Sequence, residues 1–204
     1  MGRIASFAFI LVVWPTTLAQ AQLVGRKNLL IHFGGGATII SSSGQADVLS
    51  TSGLAGGNVA FSFAYAFNRY WSMGVHFQRM GSKHTTTMLD HVRVARYDLE
   101  GSIRLVNREH AALEATTAIG LAEIRLRTDG QRLPVVSVDY GASIGARYLR
   151  RITNTLGTYA AINWAPFQDG LVWQGEKPVT DESGRQLTLE WSTACIAVGL
   201  FVRF

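Results

Sequence analysis

Cysteine is almost absent. A single Cys195 in 204 residues rules out an internal disulfide and leaves no cysteine pair to hold a metal ion. That count says nothing for or against an oxidising compartment. Long apolar runs are missing as well. The longest, Ile4 to Trp14, spans about 11 residues, well short of the roughly 20 that a membrane-spanning helix needs. A strong excess of one charge is also lacking. With Arg3 set aside, 18 basic groups face 14 acidic ones, a net of +4 scattered along the chain. Nucleic-acid binding needs a basic patch or stripe, and none is present.

Catalytic motifs are equally scarce. Gly141-Ala142-Ser143-Ile144-Gly145 has lipase-type spacing, but it lies in an alternating stretch with Ser143 inward, not at a strand–turn–helix elbow. Gly34-Gly35-Gly36 is followed by neither helix nor lysine, so it is not a phosphate loop. Among the five histidines, His84 neighbours Ser82, His110 falls in a short turn, and His32 and His76 fall on strands that are not neighbours. None is placed as a base for a nucleophile. No metal and no cofactor is expected.

What is present begins with a processing signal. Met1-Gly2-Arg3 is a short positive region, Ile4 to Trp14 is apolar, and Ala19-Gln20-Ala21 is a small-x-small site. This arrangement predicts a secretory signal peptide over residues 1–21, cleaved after Ala21. Residue 22 is Gln rather than Cys, so a lipid-anchored start is not indicated. Residues 22–204 then form one domain.

That domain alternates with a period of two, the signature of strands whose faces see different surroundings. Strands are predicted over 28–40, 58–67, 71–80, 91–105, 111–126, 135–148, 155–165 and 187–204. In the second, Val59, Phe61, Phe63, Tyr65 and Phe67 alternate with Asn58, Ala60, Ser62, Ala64 and Ala66. In the last, Ile196, Val198, Leu200, Val202 and Phe204 share one face. Links after the even-numbered strands are short; those after the odd ones, 41–57, 79–90, 127–133 and 166–186, are long. Short turns on one side and long loops on the other, with both termini on the short-turn side, is the asymmetry of a membrane β-barrel. Phe67, Trp71, Tyr148 and Phe204 fall near the short-turn end, and Phe77 and Trp164 near the long-loop end, as two interfacial belts would.

On these grounds the chain resembles the small eight-stranded outer-membrane barrels of the OmpA/OmpX type, the outer membrane protein beta-barrel domain family. The resemblance implies an all-β, up-and-down antiparallel transmembrane barrel over residues 22–204. It implies location in the outer membrane of a Gram-negative-type bacterium. The partners implied are outer-membrane lipid and lipopolysaccharide, the barrel-assembly machinery, and an extracellular partner reached through the long loops. Phe204 resembles the family's C-terminal assembly signal. A structural or interaction role, in adhesion or membrane integrity, is expected rather than catalysis. A lipid A-modifying barrel enzyme is the alternative, and a narrow pore a third.

If the apolar face meets lipid, the other face fills the lumen. The expected polar network is Arg96, Asp98, Glu100, Arg104, Glu114, Asp139 and Arg147, packed because eight strands leave room only for side chains. A lipocalin would reverse this, with an apolar interior and a polar exterior. One further group stands out at the rim. With the turn after the fourth strand centred near Arg108, Leu105 faces Ala111, Arg93 faces Glu123 and His91 faces Arg125. These four polar residues, His91, Arg93, Glu123 and Arg125, form the expected lipopolysaccharide headgroup site, with the arginines holding phosphates.

Overall fold

The computed structural model describes residues 28–44, 51–83, 89–128 and 134–204; the signal segment and its cleavage site lie outside them. Wherever Phe, Tyr, Val or Ile alternates with Ser, Gly, Ala or a charge, the chain runs extended. The elements are β1 (Asn28–Gly44), β2 (Thr51–Ala66), β3 (Trp71–Lys83), β4 (Leu89–Asn107), β5 (Ala111–Thr128), β6 (Val135–Arg151), β7 (Leu156–Gln174), the short return β8 (Lys177–Pro178) and β9 (Thr188–Arg203). They form one antiparallel sheet in the order β6-β5-β4-β3-β2-β1-β9-β7, closed by β6 against β7. Setting aside the two-residue β8, this is a closed eight-stranded up-and-down barrel. The chain end takes part in closure: Phe204 N–H donates to the Leu29 carbonyl at 3.0 Å and Leu29 N–H to that of Phe204 at 3.1 Å.

Short turns close one end. After β2, the Asn68 side-chain oxygen accepts the N–H groups of Tyr70 at 2.7 Å and Trp71 at 2.9 Å. After β6, the Thr153 hydroxyl oxygen accepts those of Thr155 and Leu156. Both are polar side chains standing in for backbone acceptors in a tight turn.

The strands are longer than the alternation alone suggests. β4 and β7 each have 19 residues, against about 9–11 for a tilted strand spanning the bilayer. The sheet therefore extends beyond the membrane at its long-loop end. All four expected loops are partly strand: β1 and β2 run to Gly44 and from Thr51, β3 and β4 to Lys83 and from Leu89, β5 to Thr128, and β7 continues through Pro166 to Gln174. Phe77 and Trp164 consequently lie mid-strand rather than at the long-loop end. Pro166 is tolerated because the register between β7 and β9 shifts between Ala165 and Gln168. Such a bulge takes up a residue that cannot donate to the ladder.

Outside the bilayer, β7, β8 and β9 build a raised hairpin with a Thr180–Gln186 bridge. At its tip Asp181 Oδ1 accepts the Ser183 N–H at 2.9 Å, the Ser183 hydroxyl at 2.6 Å and the Arg185 N–H at 2.9 Å. These bonds, the Ser183 hydroxyl first among them, hold the Asp181 carboxyl below its ordinary range. Gly184, at φ +80°, takes the left-handed turn position that an L side chain resists.

Large apolar side chains cover the outside. Phe33, Phe61, Phe77 and Tyr97 follow one another across β1 to β4 in register. Phe61 stacks on Phe77 at 6.4 Å, and Phe77 meets Tyr97 edge-on at 5.8 Å. In water this surface would be a strong aggregation liability. Against lipid it is the expected exterior of a transmembrane barrel.

Candidate functional site

Every second residue points inward, and the lumen combines a charged layer with two apolar clusters. Toward the short-turn end lies a charged layer. Arg147 donates from Nη2 to both Glu100 carboxylate oxygens, at 2.8 and 2.9 Å, and from Nη1 to Glu114 Oε2 at 3.5 Å. Arg104 Nε stands 3.0 Å from Glu114 Oε1, a buried ion pair. The other Arg104 nitrogens reach the Ser72 hydroxyl at 3.1 Å and the Asn68 carbonyl at 3.2 Å. His76 Nδ1 is 3.6 Å from Glu100 Oε2, and His32 shares a 2.9 Å hydrogen bond with Ser62. Arg96 and Asp98, two apart on β4, pair at 3.2 Å. Each of these charged groups is buried, which a low-dielectric interior tolerates only where the charges are paired.

Toward the long-loop end the lumen is apolar. Ile40, Leu54, Met80, Val92, Val94, Ile124, Leu126, Val172, Leu189 and Trp191 form one buried cluster with their neighbours. Of the expected polar lumen, the charged residues other than Asp139 are buried toward the short-turn end beside a second apolar cluster that includes Leu30, Leu149 and Phe201, and the upper lumen is lined mainly by apolar side chains instead. The switch is visible on β4, where inward Val92 and Val94 give way to Arg96 and Asp98. Asp139 also needs correction. It stands apart from the charged layer, half-buried on β6, where its Oδ2 accepts the Asp169 N–H at 2.9 Å.

At the outer rim the register differs from the expected one. Arg93 faces Arg125 rather than Glu123, Glu123 faces Ala95, and His91 faces Arg127. Two causes combine: the turn places Asn107 opposite Ala112, and the ladder shifts between Arg104 and Val106. Glu123 instead pairs with Arg125, two residues along its own strand. Arg93 and Arg125 are thus like charges directly opposite, an unfavourable cross-strand pair. Arg79 joins them from β3, opposite Ala95. Arg79 falls in both the expected strand 71–80 and the expected link 79–90, and counting it with the link leaves it out of the expected site although it follows the outward parity of Val75 and Phe77. Neither Arg79 nor Arg93 has a carboxylate partner among the described residues. The three arginines border a groove of ≈ 470 Å³ whose lower wall is Phe61, Phe77 and Tyr97. Cations above aromatic and apolar side chains, on a lipid-facing wall, match an anionic headgroup above its acyl chains.

None of the described residues arranges a nucleophile and base here. Ser82, close to this rim, is buried and donates to the Ala55 carbonyl at 2.6 Å. Ser143 lies within β6 and not at a turn.

Comparison with known proteins supports the architecture. No family model matches the chain, and no curated protein matches it. Among solved structures it is similar to Neisserial surface protein A (NspA), with a TM-score of 0.55 at 11% identity over 86% of this chain and 97% of that one. It is also similar to the outer membrane protein OprG from Pseudomonas aeruginosa, with a TM-score of 0.56 at 12% identity over 88% and 98%. At such identities the likeness shows the fold: a small transmembrane antiparallel barrel.

Proposed function

We propose that the protein is an exported outer-membrane barrel with a structural or interaction role, bound through its rim to the phosphates of lipopolysaccharide. The observation that carries this reading is the row of Arg79, Arg93 and Arg125 over an aromatic wall. Two of these arginines oppose each other in register, an arrangement that an anion between them would relieve. Guanidinium suits phosphate because its planar fork gives two directed hydrogen bonds and stays charged. A filled lumen argues against conduction, and among the described residues the rim offers no nucleophile–base pair for lipid A modification. The hairpin around Asp181 is the natural contact surface for an extracellular partner.

The rim is tested by Arg93→Gln with Arg125→Gln. Lipopolysaccharide co-purifying with the barrel should fall at least about fivefold, on the order of 1 kcal/mol, while the folded form survives. Unaltered co-purification would dispose of the site. Wild-type overexpression should leave lipid A mass spectra unchanged; a changed acylation pattern would favour the enzyme reading. Export is tested separately. Protein recovered from the outer-membrane fraction should begin at Gln22, and retention of Ile4 to Trp14 would contradict cleavage after Ala21.

A further inference from the structure

The short-turn end carries a second group of arginines, at the opposite end of the strands from the rim. Arg69 lies between β2 and β3, Arg108 between β4 and β5, and Arg150 near the end of β6. All three are exposed, and none makes an ion pair with a described residue. Arg151 beside them has a partner: its Nη2 donates to Glu109 Oε1 at 3.1 Å. Glu109 is the single acid among the described residues of these turns, so Arg69, Arg108 and Arg150 have no counterion there. The turns form one surface. Asn107 Nδ2 donates to the Arg69 carbonyl at 3.0 Å. The Arg104 N–H donates to the Tyr70 carbonyl at 2.7 Å, and the Arg151 N–H to that of His110 at 2.9 Å.

Neighbouring aromatic side chains set the depth of these charges. The Arg69 guanidinium stands over the Tyr70 ring, 4.7 Å from its centroid, and exposed Trp71 follows at the start of β3. On the outward face of β6, exposed Tyr148 pairs with Leu113 of β5. Arg150 pairs with Ala111, two residues further along the same face, or about 7 Å of strand. Exposed Tyr and Trp sit at headgroup level in a membrane. The arginines therefore reach just past that level, where the phosphates of the short-turn leaflet lie. Neighbouring strands stand about 4.8 Å apart, so cations spread from the β2–β3 turn to β6 make a row for more than one headgroup rather than a single pocket.

We propose that this row binds anionic phospholipids of the short-turn leaflet, with their phosphates on Arg69, Arg108 and Arg150 and their acyl chains against Trp71, Leu113 and Tyr148. Charge selects the class. A phosphatidylglycerol-type head has a negative phosphodiester and no cation. A phosphatidylethanolamine head has the same phosphate but adds an ammonium, which the arginines repel and for which only Glu109 stands nearby. Basic residues are drawn to an anionic lipid surface within a Debye length, and the guanidinium fork adds two directed hydrogen bonds to a phosphate. A cell-wall carboxylate approaching the turns from water would meet the same charges but gain nothing from the aromatic row. That row favours lipid.

The test titrates the full barrel, refolded in detergent, with phosphatidylglycerol and phosphatidylethanolamine of identical acyl chains, and counts bound lipids by native mass spectrometry. Phosphatidylglycerol should bind at least about fivefold more tightly. Arg69→Gln with Arg108→Gln and Arg150→Gln should bring the two lipids to equal affinity and leave lipopolysaccharide co-purification intact. The rim variant, Arg93→Gln with Arg125→Gln, should keep the preference. Equal binding of the two lipids to the wild type, an unchanged preference in the triple variant, or its loss in the rim variant would overturn the proposal. So would a wild type without lipid preference that pellets with purified peptidoglycan, which would assign the arginines to the cell wall. Should the triple variant fail to fold, a photoreactive phosphatidylglycerol on the wild type decides. Crosslinks concentrated in residues 67–71, 105–113 or 148–152 support the row, and crosslinks spread evenly over the barrel refute it.

Discussion

Replacing Arg147 by Met should cost the barrel roughly 3–5 kcal/mol, the range for removing one partner of a buried ion pair. Arg147 is the only cation that bridges the two lumen glutamates among the described residues, with Nη2 on Glu100 and Nη1 on Glu114. Without it, Glu100 keeps only His76, at 3.6 Å, and Glu114 keeps only Arg104. The loss comes less from the bonds themselves than from a carboxylate left charged in a dry interior. Combining Arg147→Met with Glu100→Gln should therefore recover much of the stability, because the stranded charge goes with its partner. Arg151→Met supplies the contrast. Arg151 pairs with Glu109 at 3.1 Å at the short-turn end, where that glutamate is half exposed, and exposed pairs contribute about 0–1 kcal/mol. Urea unfolding in detergent micelles measures all three. Equal losses at Arg147 and Arg151, or no recovery in the double variant, would mean that the lumen is wet enough to solvate its charges.

Much of the barrel is legible in the chain because side-chain parity is a local property. That Phe61 and Ser62 lie on opposite faces follows from alternation alone; reading the apolar face as lipid-facing then puts Phe61 outward and the charged set on β4 inward. Register is not local. It depends on where each turn closes and on any extra residue nearby, and between β4 and β5 both move: the turn sets Asn107 against Ala112, and a shift follows at Arg104. That displacement of two positions keeps every residue on its own face yet changes each partner, turning Arg93–Glu123 into Arg93–Arg125. The layered lumen was readable in principle, since Val92 and Val94 precede Arg96 and Asp98 on one face. Taking the inward face as uniformly polar conceals it. Pro166 reads as the start of a loop because proline weakens a ladder. A bulge accommodates it inside β7 instead, and no composition signal separates those two outcomes.

Gly120→Val should prevent the barrel from reaching its folded, heat-modifiable form. Gly120 lies on β5 between Asp98 of β4 and Gly141 of β6, beside the point where Arg96 and Asp98 pair. A Cβ there would overlap the Tyr97 carbonyl oxygen and come within 2.6 Å of Asp98 Cα and 2.8 Å of Asp98 Oδ1. Two of these obstacles are backbone, so no rotamer change relieves them; β4 and β5 would have to part in the middle of their ladder. Overpacking of a core ordinarily costs about 1–3 kcal/mol, and a collision with the neighbouring strand's own backbone belongs at or above that upper end. Gly101→Ala on β4 is the control. It faces outward, and its nearest obstacle is the Thr117 hydroxyl at 3.8 Å, an ordinary contact. Alanine in a strand is also favoured over glycine by roughly 0.5–1 kcal/mol, so this variant should fold as well as the parent or better. Gel mobility with and without heating, after refolding into detergent, distinguishes the two. A folded Gly120→Val barrel of parental stability would show that β4 and β5 need not approach this closely, and that the charged layer does not depend on glycine to admit Asp98.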